Sequence, residues 1–168
     1  MIKYILIFLT VGLVFSSSLE AKNIPDSLVH YINKELPKYK IPSCLDYMKG
    51  WESFQDDDTQ LPFFCTSDYN GDNLLDFAVL LKDSSDELFL YVFLQQANGY
   101  EIVLIDKIQN YNSKKFQIVI RSELKGVWES ITEKITVCNN GISIVLIEES
   151  LTWSYYYHEG KFIQFIYD

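Results

Sequence analysis

The sequence predicts a mainly β fold: an antiparallel meander, curled into a sandwich or a barrel-like sheet, behind one N-terminal helix. Three observations carry this. From Pro62 onward, apolar residues recur with a period of two in short runs such as "FAVLLK", "ELFLYVFLQQ", "KFQIVIRSEL" and "KFIQFIYD". The runs are separated by "DSSD", "ANG", "YNSK", "NNG" and "HEG", stretches that make hairpin turns and are too short for the crossover a parallel pair needs. The runs are also rich in β-branched and aromatic residues, with 12 Tyr and 11 Phe in the chain, and these side chains pack well on a pleated surface.

The elements follow in order. Residues 1–21 read as a secretory signal: Lys3 supplies the charge, Tyr4 to Phe15 the apolar run, and "SSSLEA" the small residues for cleavage. The run is shorter than the about 20 apolar residues of a membrane-spanning helix. This reading makes the protein exported, periplasmic or secreted. It leaves one domain over 22–168, with no membrane span once the leader is removed. In "IPDSLVHYINKEL", residues 24–36, Pro25, Asp26 and Ser27 suit a helix start. Leu28, Tyr31, Ile32 and Leu36 fall on one helical face, and Pro37 ends the run. Residues 37–62 read as irregular, with a short helical turn around Cys44 to Lys49 and an acidic loop at Asp56 to Asp58.

The strands begin with "PFFCTS" and end with "KFIQFIYD", eight or nine in all. The Cys138-"NNG"-Ile142 and Tyr157-"HEG"-Lys161 links are the clearest hairpin turns, because Asn and Gly tolerate positive φ. A sheet of that length must curl, close or split into two layers to hide its apolar face. No unit repeats along the chain, which sets aside propellers and solenoids. Trp153, Tyr155 and Tyr157 share one strand face. They serve either as a stacking platform for sugars or as the aromatic closure of the core.

The chain has 168 residues, 48% of them hydrophobic, and a net charge of −9. The size and apolar content favour one domain with a true core. The charge argues against nucleic acid and anionic membranes as partners and leaves protein or glycan partners open. An exported protein meets an oxidising compartment, so one disulfide among Cys44, Cys65 and Cys138 is expected. Spacing does not choose the pair. Cys44–Cys65, which would tie down a turn-rich segment, is the pairing favoured, with Cys65–Cys138 across two strands as its rival.

"DYNGDNLLD", Asp68 to Asp76, is the one stretch organised like a chemical device. Ca²⁺ takes six to eight oxygens at about 2.3–2.6 Å. Asp68, Asn70 and Asp72 place side-chain oxygens at positions one, three and five, Leu74 offers its carbonyl at seven, and Asp76 closes with a carboxylate at nine. Gly71 lets the chain turn, and Asn73 is suited to a left-handed backbone. The same side chains can also cap backbone amides in a metal-free turn.

This stretch resembles the D-x-[DN]-x-D-x-x-x-D calcium loop of FG-GAP and VCBS-type repeats, also found in integrin α-subunit blades. There the loop joins two strands and an apolar strand follows the last Asp, as "FAVLL" follows here. The resemblance implies a structural Ca²⁺ held by Asp68, Asn70, Asp72, Leu74 and Asp76. It covers a small part of the chain, occurs once and lacks the family's Phe-Gly and Gly-Ala-Pro signature, so it implies neither a propeller nor adhesion. An EF-hand would need an acid at position twelve, where Val79 stands.

Catalytic motifs are lacking. The two histidines, His30 and His158, have no nucleophile or metal-ligand motif beside them. The sequence therefore reads as a non-enzymatic binding or interaction module. Two alternatives stand: a secreted inhibitor of a basic, lysozyme-like hydrolase, steered by the acidic charge, and a hydrolase built on a dispersed carboxylate pair.

Overall fold

The period-two runs pair into antiparallel ladders in a computed structural model that describes residues 23–54, 60–108, 115–130, 132–147 and 151–167. The expected leader over 1–21, the acidic run 56–58 and the turn expected at 111–114 lie outside these residues. One helix, α1 (Asp26–Glu35), precedes two 3-10 turns at Cys44–Asp46 and Trp51–Phe54. The strands are β1 (Phe64–Ser67), β2 (Asp76–Lys82), β3 (Leu88–Gln96), β4 (Gly99–Ile108), β5 (Ile118–Glu123), β6 (Gly126–Glu129), β7 (Lys134–Val137), β8 (Gly141–Leu146), β9 (Leu151–His158) and β10 (Lys161–Ile166).

The expected single meander is in fact two. One sheet has the order β1-β2-β3-β4, the other β10-β9-β8-β5, and β6 and β7 form a separate ribbon. The "NNG" link is therefore not a hairpin turn: β7 pairs with β6 and β8 pairs with β5. "GVWE" is a strand that the period-two reading missed, because four residues beside Gly126 give too short a pattern. Each sheet is a four-stranded meander, so the topology repeats although the sequence does not. In the first half the β1–β2 connection is the acidic loop. In the second, the β5–β8 connection is expanded into the β6–β7 ribbon.

The sheets meet edge to edge along β1 and β5, where Ile120 N donates to Pro62 O at 2.9 Å and Ser122 Oγ donates to Thr66 O at 2.9 Å. They do not close into a barrel; they pack face to face as a sandwich. Strand register sorts the side chains. Ala78, Leu80, Leu90 and Val92 of the first sheet join Ile120, Ile142, Ile144 and Tyr155 of the second in one core. Fully buried side chains such as Leu80, Leu90 and Phe93 each contribute about 1.5–3 kcal/mol relative to exposure.

The other face of the first sheet presents Phe77, Phe93 and Tyr100 to α1. Leu28 and Ile32 of the helix are buried, and Tyr31 sets its ring edge-on to Tyr100 at 5.1 Å while its hydroxyl donates to Tyr100 O at 2.9 Å. Outside the second sheet, Trp128 of the ribbon packs on Phe165 at 5.9 Å, and Trp51 and Phe54 pack near Val119 and Val145. A side chain at Gly141 would meet the Trp128 ring at 2.3 Å, so this strand start must be glycine for the ribbon to lie down.

The loop between β1 and β2

The acidic loop stands at the end of the sandwich where β1 turns into β2. Gly71 and Asn73 both have positive φ, 84° and 66°, as the spacing of the loop requires. Its polar side chains hold its own backbone. Asp68 Oδ1 accepts from Gly71 N at 2.7 Å and Oδ2 from Asn73 N at 2.9 Å. Asn70 Oδ1 accepts from Asp72 N at 3.0 Å, and Asp72 Oδ1 accepts from Leu74 N at 2.8 Å. Asn70 Nδ2 donates to Asp72 Oδ2 at 3.0 Å.

Asp76 differs from the rest. It is fully buried, and its two carboxylate oxygens accept from Tyr69 N at 2.9 Å and Gln95 N at 2.8 Å. It thereby ties the start of the loop to the β3–β4 turn. Burial pushes its carboxyl up, and the Gln95 and Tyr69 amides only partly offset this, so it sits above the usual carboxylate value. Among the described residues, no three Asp, Glu, His or Cys side chains converge to hold a metal. Asp68, Asn70 and Asp72 lie on the open part of the loop, and Asp76 lies at its root.

The residues that anchor the loop were not visible as site residues in the sequence. Tyr69 is fully buried, and its hydroxyl lies 3.2 Å from both Cys65 Sγ and Ser122 Oγ. From the start of β8, Asn140 Nδ2 donates to Ser67 Oγ at 2.6 Å, while its Oδ1 accepts from Lys125 N at 3.0 Å. The Asn139 amide sits against Gly71, where an added Cβ would meet its Oδ1 at 2.7 Å. The acidic loop and the base of the ribbon are thus in contact. The one sequence signal was Tyr69 itself, an aromatic residue inside an otherwise polar loop.

All three cysteines are free thiols. Neither the Cys44–Cys65 bridge nor the Cys65–Cys138 alternative forms. Cys65 is buried at β1 with its sulfur against Tyr69, whereas Cys44 and Cys138 are exposed, in a 3-10 turn and in the β7–β8 link. Burial pushes the Cys65 thiol up to about 11, against the opposing hydrogen bonds of Tyr69 and Ser122. The aromatic face of β9 serves the core. Tyr155 is buried and donates to Asp106 Oδ2 at 2.6 Å across the sheets, and Trp153 and Tyr157 pack half-buried beside it. His30 and His158 are exposed, on α1 and beside the β9–β10 turn.

Fold and loop together define a helix-backed, two-sheet antiparallel sandwich with a self-capped acidic loop at one end. No family model, curated protein or solved structure matches the chain.

Proposed function

We propose that this is an exported, non-enzymatic interaction module in which the Asp68–Asp76 loop is a structural Ca²⁺ clasp. The observation that carries the reading is the position of the loop: it joins two paired strands, with Asp68, Asn70 and Asp72 on its open part and a buried carboxylate, Asp76, at its root. The amide bonds these groups accept do not exhaust them, because a carboxylate offers about four lone-pair sites. Asp68 and Asp72 retain acceptor capacity, and Asn70 would exchange its bond to Asp72 for the ion. The Leu74 carbonyl completes the set within the chain. Asp76 contributes through its remaining lone pairs while keeping Tyr69 and Gln95.

The expected affinity is that of extracellular modules, on the order of 10⁻⁴–10⁻³ M. Thermal unfolding with millimolar Ca²⁺ and with EDTA tests it. Binding to the folded state alone raises the midpoint, by a stabilisation of about 1–2 kcal/mol when the ion is at ten times Kd. Asp72→Ala should abolish the difference. Identical midpoints in Ca²⁺ and EDTA would refute the clasp.

A second reading rests on Leu74 and Leu75, 39% and 52% exposed between Asp72 and Asp76. An acidic, apolar-tipped loop suits insertion into the cleft of a basic hydrolase, as an inhibitor would require. Inhibition of a lysozyme-like enzyme that is lost on Leu75→Asp would favour it over the clasp alone.

A further inference from the structure

Sheet edges expose unpaired backbone groups, and proteins protect them with bulges, charges or covering elements. The two four-stranded sheets have four edges. Those of β1 and β5 face each other and share the Ile120–Pro62 hydrogen bond. The β4 edge is interrupted: Leu90 pairs with Asp106 and Tyr91 with Leu104, so Ile105 bulges out of the ladder. Beside the bulge stand Asp106 and Lys107, and Glu101 adds a charge further along the strand. The fourth edge, β10, has among the described residues no bulge and no covering strand, although Trp128 and Tyr167 pack on Phe165 from one face. Its residues are Lys161, Phe162, Ile163, Gln164, Phe165 and Ile166, in unbroken register with β9 and with one charge, at the turn. Among the described residues β10 has no strand partner on its outer side. Gln164 is exposed, and Ile166 is 51% exposed.

We propose that β10 pairs antiparallel with β10 of a second copy, centred on Gln164, to make one continuous sheet across a two-fold axis. The backbone fits this. Glu159 and Gly160, with φ of 48° and 83°, form a two-residue turn closed by the His158–Lys161 pair. In such a hairpin the closing pair is hydrogen-bonded. The N–H and C=O groups of Lys161, Ile163 and Phe165 therefore point to β9, and those of Phe162, Gln164 and Ile166 point outward. Centring on Gln164 sets Phe162 opposite Ile166 of the partner subunit, and Gln164 opposite its own copy. All three outward-pointing residues then meet outward-pointing residues, giving about six intermolecular backbone hydrogen bonds. The side chains also match. Phe162 meets Ile166 on one face, where the two Gln164 amides can also exchange hydrogen bonds; on the other face Phe165 is buried beneath Trp128 and Tyr167, and Ile163 lies half-buried beside it. Every contact is reciprocated, as a two-fold interface requires, and no like charges are opposed.

The test is mass by light scattering after size exclusion, from ~1 to ~100 µM protein, together with amide exchange at β10. The expected result is a dimer at the upper end, with the Phe162, Gln164 and Ile166 amides protected only in the dimer. Gln164→Lys sets two like charges at the axis and should weaken association at least about tenfold. Gln164→Pro removes an outward N–H that β9 does not use, and should also yield monomer. Far-UV circular dichroism reports whether each variant is folded; Gln164→Lys alters only an exposed side chain and carries the test if the proline variant unfolds. A wild-type monomer at ~100 µM, or a dimer retained in folded Gln164→Lys with freely exchanging β10 amides, would overturn the proposal.

Discussion

Replacing Tyr69 asks whether the acidic loop is part of the core or an appendage. The ring is fully buried, and its hydroxyl lies 3.2 Å from Cys65 Sγ and from Ser122 Oγ. Tyr69→Phe removes only the hydroxyl. Ser122 keeps its bond to Thr66 O and the Cys65 thiol loses a weak partner, so the cost is that of one buried hydrogen bond, about 0.5–1.5 kcal/mol. Tyr69→Ala also removes the ring, and large-to-small aromatic truncations cost about 3–5 kcal/mol. The alanine variant should therefore lose about 4–6 kcal/mol, a large part of the about 5–15 kcal/mol that holds a domain folded. Urea unfolding with linear extrapolation measures both variants. A surface loop substitution changes stability by only about 0.5 kcal/mol. If Tyr69→Ala costs less than about 1.5 kcal/mol, the ring does not anchor the loop.

Two further predictions use the titratable groups. At about pH 8 a thiol reagent should label Cys44 and Cys138 in the folded protein and reach Cys65 only on unfolding, because exposed thiols react and a buried one of raised pKa does not. The Cys65 value near 11 lies above the unfolded value of 9.0, so its contribution is fully present below the unfolded value and is lost as pH rises towards the folded one. Roughly 2–3 kcal/mol should disappear over that alkaline window, and Cys65→Ala should lessen the alkaline loss in urea titrations by about that amount, the buried tyrosines Tyr47, Tyr69 and Tyr155, also raised by burial, contributing the rest. At the acid end, burial pushes the Asp46 carboxyl up, but the Ser43 amide at 2.7 Å and the Lys82 ammonium at 3.0 Å outweigh this and hold it below its ordinary value. Its contribution is present above the unfolded value and lost as pH falls through the folded one, below about pH 4. Asp46→Asn should remove that acid limb, and an unchanged pH profile would refute the pairing.

The strands were legible because their period-two pattern is long relative to noise. "ELFLYVFLQQ" and "FAVLLK" became β3 and β2 within a residue at each end, and the helix at 24–36 became Asp26–Glu35. Partner choice was not legible. "NNG" has the composition of a hairpin turn, but β8 is held away from β7 by its ladder with β5, a pairing remote in sequence. The cysteine expectation failed for a related reason. It rested on compartment and on the turn-rich segment between Cys44 and Cys65, whereas the strand register puts Cys65 inward, against Tyr69. In the loop, the positive φ values and the oxygen spacing could be read directly. The anchoring of Asp76 by Gln95, and of Tyr69 by Ser122, depends on residues 19 and 53 positions away, which no local pattern records.

The repeated topology gives the loop a meaning beyond its own residues. In each half, the connection between the first two strands of the meander is the one that departs from a short turn, once as the acidic loop and once as the β6–β7 ribbon. Antiparallel alternation places both at the same end of the sandwich, with the β3–β4 and β9–β10 turns. They touch there through Asn139, Asn140, Gly71 and Ser67. Irregular segments held on a rigid sheet are where proteins commonly carry binding groups, so under the proposed interaction role this end is the place to test for a partner. A change in the loop must be felt by the ribbon. Asn140 bonds β1 through Ser67 and the ribbon entrance through Lys125 N, and so bridges the loop root and the ribbon. Loop and ribbon therefore lie on one contiguous surface, and the buried carboxylate of Asp76, bonded at both Tyr69 and Gln95, anchors the loop side of it.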